Sequence, residues 1–536
     1  MERWNPPVEP SKREQLILKR LKRTRKLFAF LRRHRHEIFD EGFQEELEQM
    51  YRSTGAGAPP VPPAKMSMGL ILQGYMGVSD AEAVELTVVD LRWQMVLDHL
   101  GGESPAFSQG ALQQFRERLV KHDMDLRVLE RTVEFARRTR EFDWKKLPKD
   151  LRIAVDSRPL IGAGRVDDTF NLLGHAARGL VRCAAHILGR RPDEVSREAG
   201  IPLLVHSSVK AGLDIDWNDP EQKDDALSEL ISQVTSLHAW IEQEQLAMEQ
   251  PLEPYIAAIA QVRRQDLEEA QGAPAKIRRG VAEDRRISIS DPEMRHGRKS
   301  KSKRFNGFKE HIAADLDTGL ILACATTPAN RPEGEAGTEL LADMKRQGLS
   351  IGSLSIDRAY VQSELVDVVL AAKGEILCKP WSGRNTRNPD LFGKADFKFN
   401  MRDRTVTCPA GQVEHFEEGM QVHFGPEACG PCPLRTECTT SASGRGRSLR
   451  VADDEKLQQR LRKRAATRKG RRQLRTRTRI EHRLAHISAR KGPKARYFGV
   501  RDNLYDLRRA ATIQNLETIQ RTIARAQDAR SHKRAA

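Results

Sequence analysis

The sequence predicts a multidomain protein of the α/β class. Its 536 residues exceed what one core usually serves, at about 100–200 residues per domain. Between Leu151 and Pro380, short apolar runs rich in β-branched residues alternate with helical patterns, as in chains that pack helices onto a sheet. On either side the pattern changes, to helical periodicity before this region and to a cysteine-rich stretch after it.

The first segment, SKREQLILKRLKRTRKLFAFLRRHRHEIF, predicts a helix in which Ser11 and Glu14 form a capping box. Leu18, Leu21, Phe28 and Leu31 fall roughly on one face. A Gly/Pro-rich linker, Ser53–Ala64, interrupts it. From Met66 the spacing of Val84, Val88, Leu91 and Met95 predicts further helices, one capped by Ser79 and another by Ser108. The run LRIAVDS predicts a buried strand with Asp156 at its end, and a long helical stretch follows to about Glu283. Two extended stretches around Asp317–Gly319 predict a hairpin, because Asp-Thr-Gly favours a tight turn. A helix near Ala336–Gln347, a strand ending at Asp357, a helix over Ser363–Lys373 and the strand GEILCKP complete the α/β pattern.

The charge is uneven. The net is +17, yet residues from Arg445 onward carry 28 Lys/Arg against 8 Asp/Glu, and residues 1–36 carry 12 against 3. Two basic ends around an acidic middle suit a polyanion, above all nucleic acid, where neutralised phosphates release counterions. Solvated basic tails are the plainer alternative. No run of about 18 apolar residues is present, which excludes a membrane-spanning helix. With no secretory signal and seven cysteines, a reducing, cytoplasmic location is expected.

Asp156 and Asp357 share a context, an apolar run followed by a polar break, and strand ends are where α/β sites gather. Glu481 stands as the one carboxylate between Arg471 and Arg490. Each residue alone has a structural explanation, a helix cap or a salt bridge. Together they form a carboxylate trio fit for divalent metal, with the surrounding arginines fit for a phosphodiester backbone. Glu364 is a weaker acidic candidate in an ordinary helix.

Cys408, Cys429, Cys432 and Cys438, spaced C-x20-C-x2-C-x5-C, predict a structural zinc site of four thiolates with no open position for catalysis. Cys183, Cys324 and Cys378 sit in apolar contexts and read as core residues. His482 and His486 read as exposed residues of a basic helix. The Arg496-Tyr497 and Arg508-Arg509 pairs suit either nucleic-acid contacts or a solvated helical face.

The stretches AVDSRPLIGAGRVDDTFNLL, FNGFKEHIAADLDTGLILACATTPAN, SIDRAY and RTRTRIEHRLAHI jointly resemble the ribonuclease H-like catalytic domain of DDE transposases from bacterial insertion sequences. Met66–Lys121 resembles the N-terminal helical domain common to many of them. The resemblance implies that Asp156, Asp357 and Glu481 bind Mg²⁺ or Mn²⁺, and that Arg477 contacts DNA. Leu474 and Ser488 stand where a related signature has tyrosine and lysine. Arg479, Arg483, Arg496 and Tyr497 complete the expected DNA-binding set.

The expected organisation is a basic helical arm (1–52), a linker (53–65) and an N-terminal helical DNA-binding or dimerisation domain (66–145). A ribonuclease H-like mixed-sheet catalytic domain (146–400 and 445–520) follows, with a helical insertion at about 176–285, a Cys-rich zinc-binding insertion (401–444) and a basic tail (521–536). The expected activity is metal-dependent cleavage at element ends and strand transfer into target DNA, by a nucleoid-associated enzyme acting as a homodimer in the synaptic complex. A nuclease that cuts without joining, and a non-catalytic DNA-binding descendant of a transposase, are the rival readings.

Overall fold

The computed structural model describes residues 2–21, 25–51, 59–139, 142, 150–204, 206, 208–246, 251–269, 274–300, 302–383, 388–442 and 444–535. Residues 53–58 of the expected linker lie outside these.

A six-stranded mixed sheet forms the centre. Its main strands are β1 (Leu151–Ile161), β2 (Arg304–Asp315), β3 (Ile321–Pro328), β4 (Ile351–Ser355) and β5 (Glu375–Leu377). They lie in the order β3-β2-β1-β4-β5, with the short strand Arg295–Arg298 beside the start of β2. β2 runs antiparallel to both β1 and β3, whereas β4 runs parallel to β1 and β5 parallel to β4. The β2–β3 turn forms as its Asp-Thr-Gly suggests. Asp315 accepts from the Thr318 backbone N–H at 2.8 Å, and Gly319 takes a positive φ of 72°.

Alternation along β1 sends successive side chains to opposite faces. Ile153 and Val155 join the core beneath the helices Ala336–Arg346 and Glu364–Ala371. Ala154 joins Ile312 and Ala314 on the other face, against Ile480, Leu484 and Ile487 of the glutamate helix, Thr478–Lys491. Between β1 and β2 the helices Thr169–Leu188, Pro220–Gln243 and Glu253–Asp266 gather a core of their own around Leu172, Leu180, Leu227 and Ile259.

The N-terminal segment differs from the expected single helix. The capping box forms, but the helix divides into Lys12–Arg20 and Lys26–Ile38, with Arg25 at φ 54°. Its charges turn inward. Fully buried Arg32 pairs with Glu14, and Arg35 donates to the carbonyls of Met95 and Val96 at 2.8 and 2.9 Å. Phe28 and Leu31 share one core with Leu72, Trp93 and Phe115, so residues 26–48 pack into the helical domain rather than standing off as an arm.

The C-terminal helix, Gly499–Ala535, ties these parts together. It packs on β3, on Met124–Arg138 and on Pro63–Met76. The buried Asn515 side chain accepts from the Ile321 N–H and donates to the Ile321 carbonyl, both at 2.8 Å, satisfying backbone groups at the edge of the sheet. Arg508 and Arg509 are buried, which overturns both readings of that pair. Arg508 meets Asp125 at 3.2 Å, and Arg509 meets Asp506 at 2.7 Å and Gln73 at 2.8 Å.

A buried ionic chain crosses all of these elements. Arg158 of β1 pairs with Glu310 of β2, Glu310 with Lys491, Lys491 with Asp506 at 2.9 Å, and Asp506 with Arg509. Burial alone would raise the Asp506 carboxyl, but Lys491 and Arg509 more than offset this and hold it well below the carboxylate range. Glu310→Gln is expected to cost roughly 3–5 kcal/mol, because it leaves two buried cations short of a charge. Chemical denaturation should show this as a lower midpoint, while Asp193→Asn at an exposed pair should change little.

Candidate active site

Asp156 lies in the middle of the long strand β1, not at its end as the sequence suggested. The parallel pairing to β4, however, stops at Ala154, which faces Ser355. Continuing that register by two residues sets Asp156 beside Asp357, just past the end of β4. β1 runs on because β2 still pairs with it as far as Ile161, Asp156 facing Ile312.

The glutamate helix closes the site from the face that Ala154 and Asp156 share. Its buried stripe of Ile480, Leu484 and Ile487 lies on the sheet and leaves Glu481 on the flank toward Asp156. Arg477, at the helix N-cap, joins them. Its guanidinium lies 3.1 Å from Asp156 and 2.7 Å from Glu481. Burial raises the Asp156 carboxyl most, Asp357 and Glu481 add to this, and Arg477 with the Ser157 N–H opposes it. Arg477 thus ties Asp156 to Glu481 directly. Asp357 caps the following turn, accepting from the Ala359 N–H at 3.0 Å.

The far end of the helix is pinned to the same strand. Arg158 donates to Ser488 at 2.8 Å and to the Gly492 carbonyl at 3.1 Å. Ile161 then bonds Pro493 and Ala495 through its backbone at 2.9 and 2.7 Å. Glu481 is thus held in register with Asp156 from both sides.

Several residues of the site escaped the sequence analysis. Tyr360, three residues after Asp357, is fully buried and shares a 2.6 Å hydrogen bond with His311 Nδ1, while His311 Nε2 meets Thr327 at 3.0 Å. Burial keeps His311 neutral, its pKa lowered to about 3. The pair fastens the turn after Asp357 to β2. Glu333 is a further carboxylate nearby, pushed up by burial first and then by Asp357, and stabilised by Lys309 and Ser157. His311 comes to the site by sheet pairing, which leaves no mark in the sequence around Asp357. Glu364 sits exposed in the first turn of Glu364–Ala371.

An open cleft of about 1330 Å³ borders Asp357 and Arg477 and is lined also by Arg358, Lys379, Trp381 and Asp454. Trp381 is half exposed, with Arg358 5.2 Å above its ring. Of the expected DNA-binding residues, Arg477 faces this cleft, Arg479 donates to the Leu316 carbonyl at 2.9 Å and Arg483 to Thr518 at 3.0 Å. Arg496 is exposed, and Tyr497 packs between Arg116 and Tyr505. His482 and His486 are exposed.

The cysteine-rich segment folds as small antiparallel sheets. Lys398–Asn400, Thr405–Thr407 and Val413–His415 form one, and Gln421–Phe424 with Arg447–Arg450 forms another. Cys408, Cys429, Cys432 and Cys438 line one cavity, roofed by Phe392, Phe397 and Phe424. Burial raises the Cys438 thiol, and the other three cysteines reinforce the shift. Among the described residues, no three His, Cys, Asp or Glu side chains stand close enough to hold a metal ion, so neither the expected zinc module nor the expected carboxylate site is shown as a metal centre. At the carboxylates the reason is physical, since Arg477 stands between Asp156 and Glu481. Cys324 and Cys378 are buried and Cys183 is half-buried. No helix among the described residues is long and apolar enough to cross a membrane.

Two family models match the chain. Residues 407–520, which include the four cysteines of the cluster and Glu481, match a transposase DDE domain, and residues 18–118 match a transposase domain (DUF772). Neither the curated proteins nor the solved structures include a match. The chain thus matches transposase domains at its N-terminal helices and again across its glutamate helix, which supports a DDE transposase of an insertion element.

Proposed function

We propose that the protein cuts DNA at the ends of its insertion element and joins the freed 3′-hydroxyls to target DNA, with Asp156, Asp357 and Glu481 as ligands of Mg²⁺ or Mn²⁺. The observation that carries this reading is what surrounds Asp156: the β1–β4 register, continued two residues past its last pair, sets Asp357 beside it, and Arg477 joins it to Glu481. The strand order β3-β2-β1-β4-β5, with β2 alone reversed among them, supports a ribonuclease H-like domain.

The donor set fits a hard cation. Asp357 lines an open cleft, and burial first, then the Asp357 and Glu481 charges, raise Asp156, as a site awaiting a compensating cation would show. When bound, divalent ions supply an activated water or 3′-hydroxyl and neutralise the leaving oxygen. The chain's own contribution is placement. His311 and Tyr360 hold the Asp357 turn, Arg158 and the 493–495 backbone hold the glutamate helix, and Arg358 and Lys379 offer cations beside Asp357 for the phosphodiester.

Four cysteine thiols would suit a structural Zn²⁺ of the closed type, and all four line one cavity walled by aromatic rings, although no three of them stand close enough here to hold the ion. Joining two element ends calls for a homodimer, and a nucleoid-associated, cytoplasmic enzyme follows from DNA as substrate.

A plasmid carrying the element should be cut at its ends by the protein with Mg²⁺, and joined products should appear with target DNA. Asp357→Ala and Glu481→Gln are each expected to lower cutting at least 100-fold, or about 2.7 kcal/mol in the barrier. Cutting without joined products would point to a nuclease, and binding unaccompanied by cuts in any variant would demote the trio to structure. For the cysteines, elemental analysis of tag-free protein should find close to one zinc per chain. Cys432→Ser should lower that content and the thermal midpoint together, and metal-free protein of unchanged stability would defeat the zinc assignment.

A further inference from the structure

The glutamate helix has a second flank. At about 100° per residue, Arg490 lies about 180° around the helix from Glu481, nine residues earlier. There it lines a concave groove of about 1140 Å³ with His486, Tyr75, Arg25, Lys26 and Arg521. Three separate elements thus deliver cations to one place: the start of Lys26–Ile38, the glutamate helix and the C-terminal helix.

The ionic state of the groove separates it from the buried arginines elsewhere. Arg25, Lys26 and Arg521 are exposed, and among the described residues no carboxylate pairs with any of them. The one acid lining the groove, Glu517, is engaged by Arg490 at 2.9 Å. Arg25 and Arg490 both lie over the Tyr75 ring, at 5.6 and 5.5 Å, so like charges are gathered around one aromatic rather than dispersed. Across the exposed crest of the helix, between this groove and Glu481, stand only His482, Ala485, His486 and Ala489. No acid there would repel a phosphate. The crest is one helix wide, roughly 10–12 Å, close to the roughly 12 Å width of a major groove.

We propose that this groove seats the phosphate backbone of duplex DNA whose neighbouring strand lies at the carboxylate trio. The N-terminal residues Arg25 and Lys26 then bind the same DNA that the sheet acts on. The proposal rests on the transposase reading and assigns it a second, sequence-independent contact surface.

The test uses the full-length protein and labelled duplexes of the element end and of random sequence, followed by fluorescence anisotropy from about 50 to 200 mM salt. Each phosphate contact contributes about 0.9 to the slope of log K against log salt, so Arg25→Ala/Lys26→Ala/Arg521→Ala should flatten it by about 2.7 on both duplexes. Arg521→Glu alone, on an exposed helical turn, should weaken both in the same direction with an unchanged thermal midpoint. Slopes equal to wild type, in a preparation whose wild-type enzyme cuts element ends and whose Asp357→Ala variant does not, would overturn the groove and leave the transposase reading standing. Wild-type protein that neither binds nor cuts would overturn both.

Discussion

The placement of Glu481 depends on a buried line of alternating charge: Arg158, Glu310, Lys491, Asp506 and Arg509. Buried ion pairs are poor sources of net stability, because desolvating each charge costs several kcal/mol before any attraction is gained. What such a chain supplies is selection among alternatives. A glutamate helix slid by one turn would leave Lys491 without Glu310 and Arg158 without Ser488, each an unpaired polar group in the interior. Hydrophobic packing of Ile480, Leu484 and Ile487 tolerates a slide far better, since dispersion and burial have little direction. The apolar stripe holds the helix on the sheet, and the charges set where along it.

The same line continues out of the sheet. Arg509 reaches Gln73 of the N-terminal helices, and Arg501 and Arg508 reach Asp125. Three regions far apart in sequence are therefore joined through polar contacts on one helix, Gly499–Ala535, whose faces are engaged around much of its length. A helix buried on several sides and carrying arginines must bring their partners with it. Asp506 is one, three residues before Arg509, and Gln73, Asp125 and Asp343 come from elements folded separately.

How much of this could be read from the residues follows the range of each interaction. Local chemistry was legible: the Ser11–Glu14 capping box, the Ser79 and Ser108 caps and the Asp-Thr-Gly turn all form where their residues stand. The two aspartates and the glutamate were visible as outliers in their surroundings, and Arg477 does link Asp156 to Glu481. Asp156 was misplaced along its strand because the polar residues after it signal a break, whereas pairing to β2 carries the strand five residues further. Tyr360–His311 and the Glu310–Lys491 link of the ionic chain could not be read, since partners 49 and 181 residues apart leave no periodic trace.

Charge shows the distinction most sharply. A count of basic residues treats every arginine as available to a polyanion, yet Arg32, Arg35, Arg158, Arg508 and Arg509 are buried with internal partners. Their charge is screened at short range by Glu14, Glu310, Asp125 and Asp506, and contributes little to the field felt outside. The surface that can attract DNA is accordingly narrower than a net charge of +17 suggests. It lies where exposed cations lack internal acids, as in the groove beside the glutamate helix. On one flank Arg477 is already neutralised by Asp156 and Glu481; on the other Arg25, Lys26 and Arg521 are not. The proposed DNA groove and the proposed metal ligand Glu481 thus sit on opposite sides of a single helix, one rigid element whose register the buried chain sets.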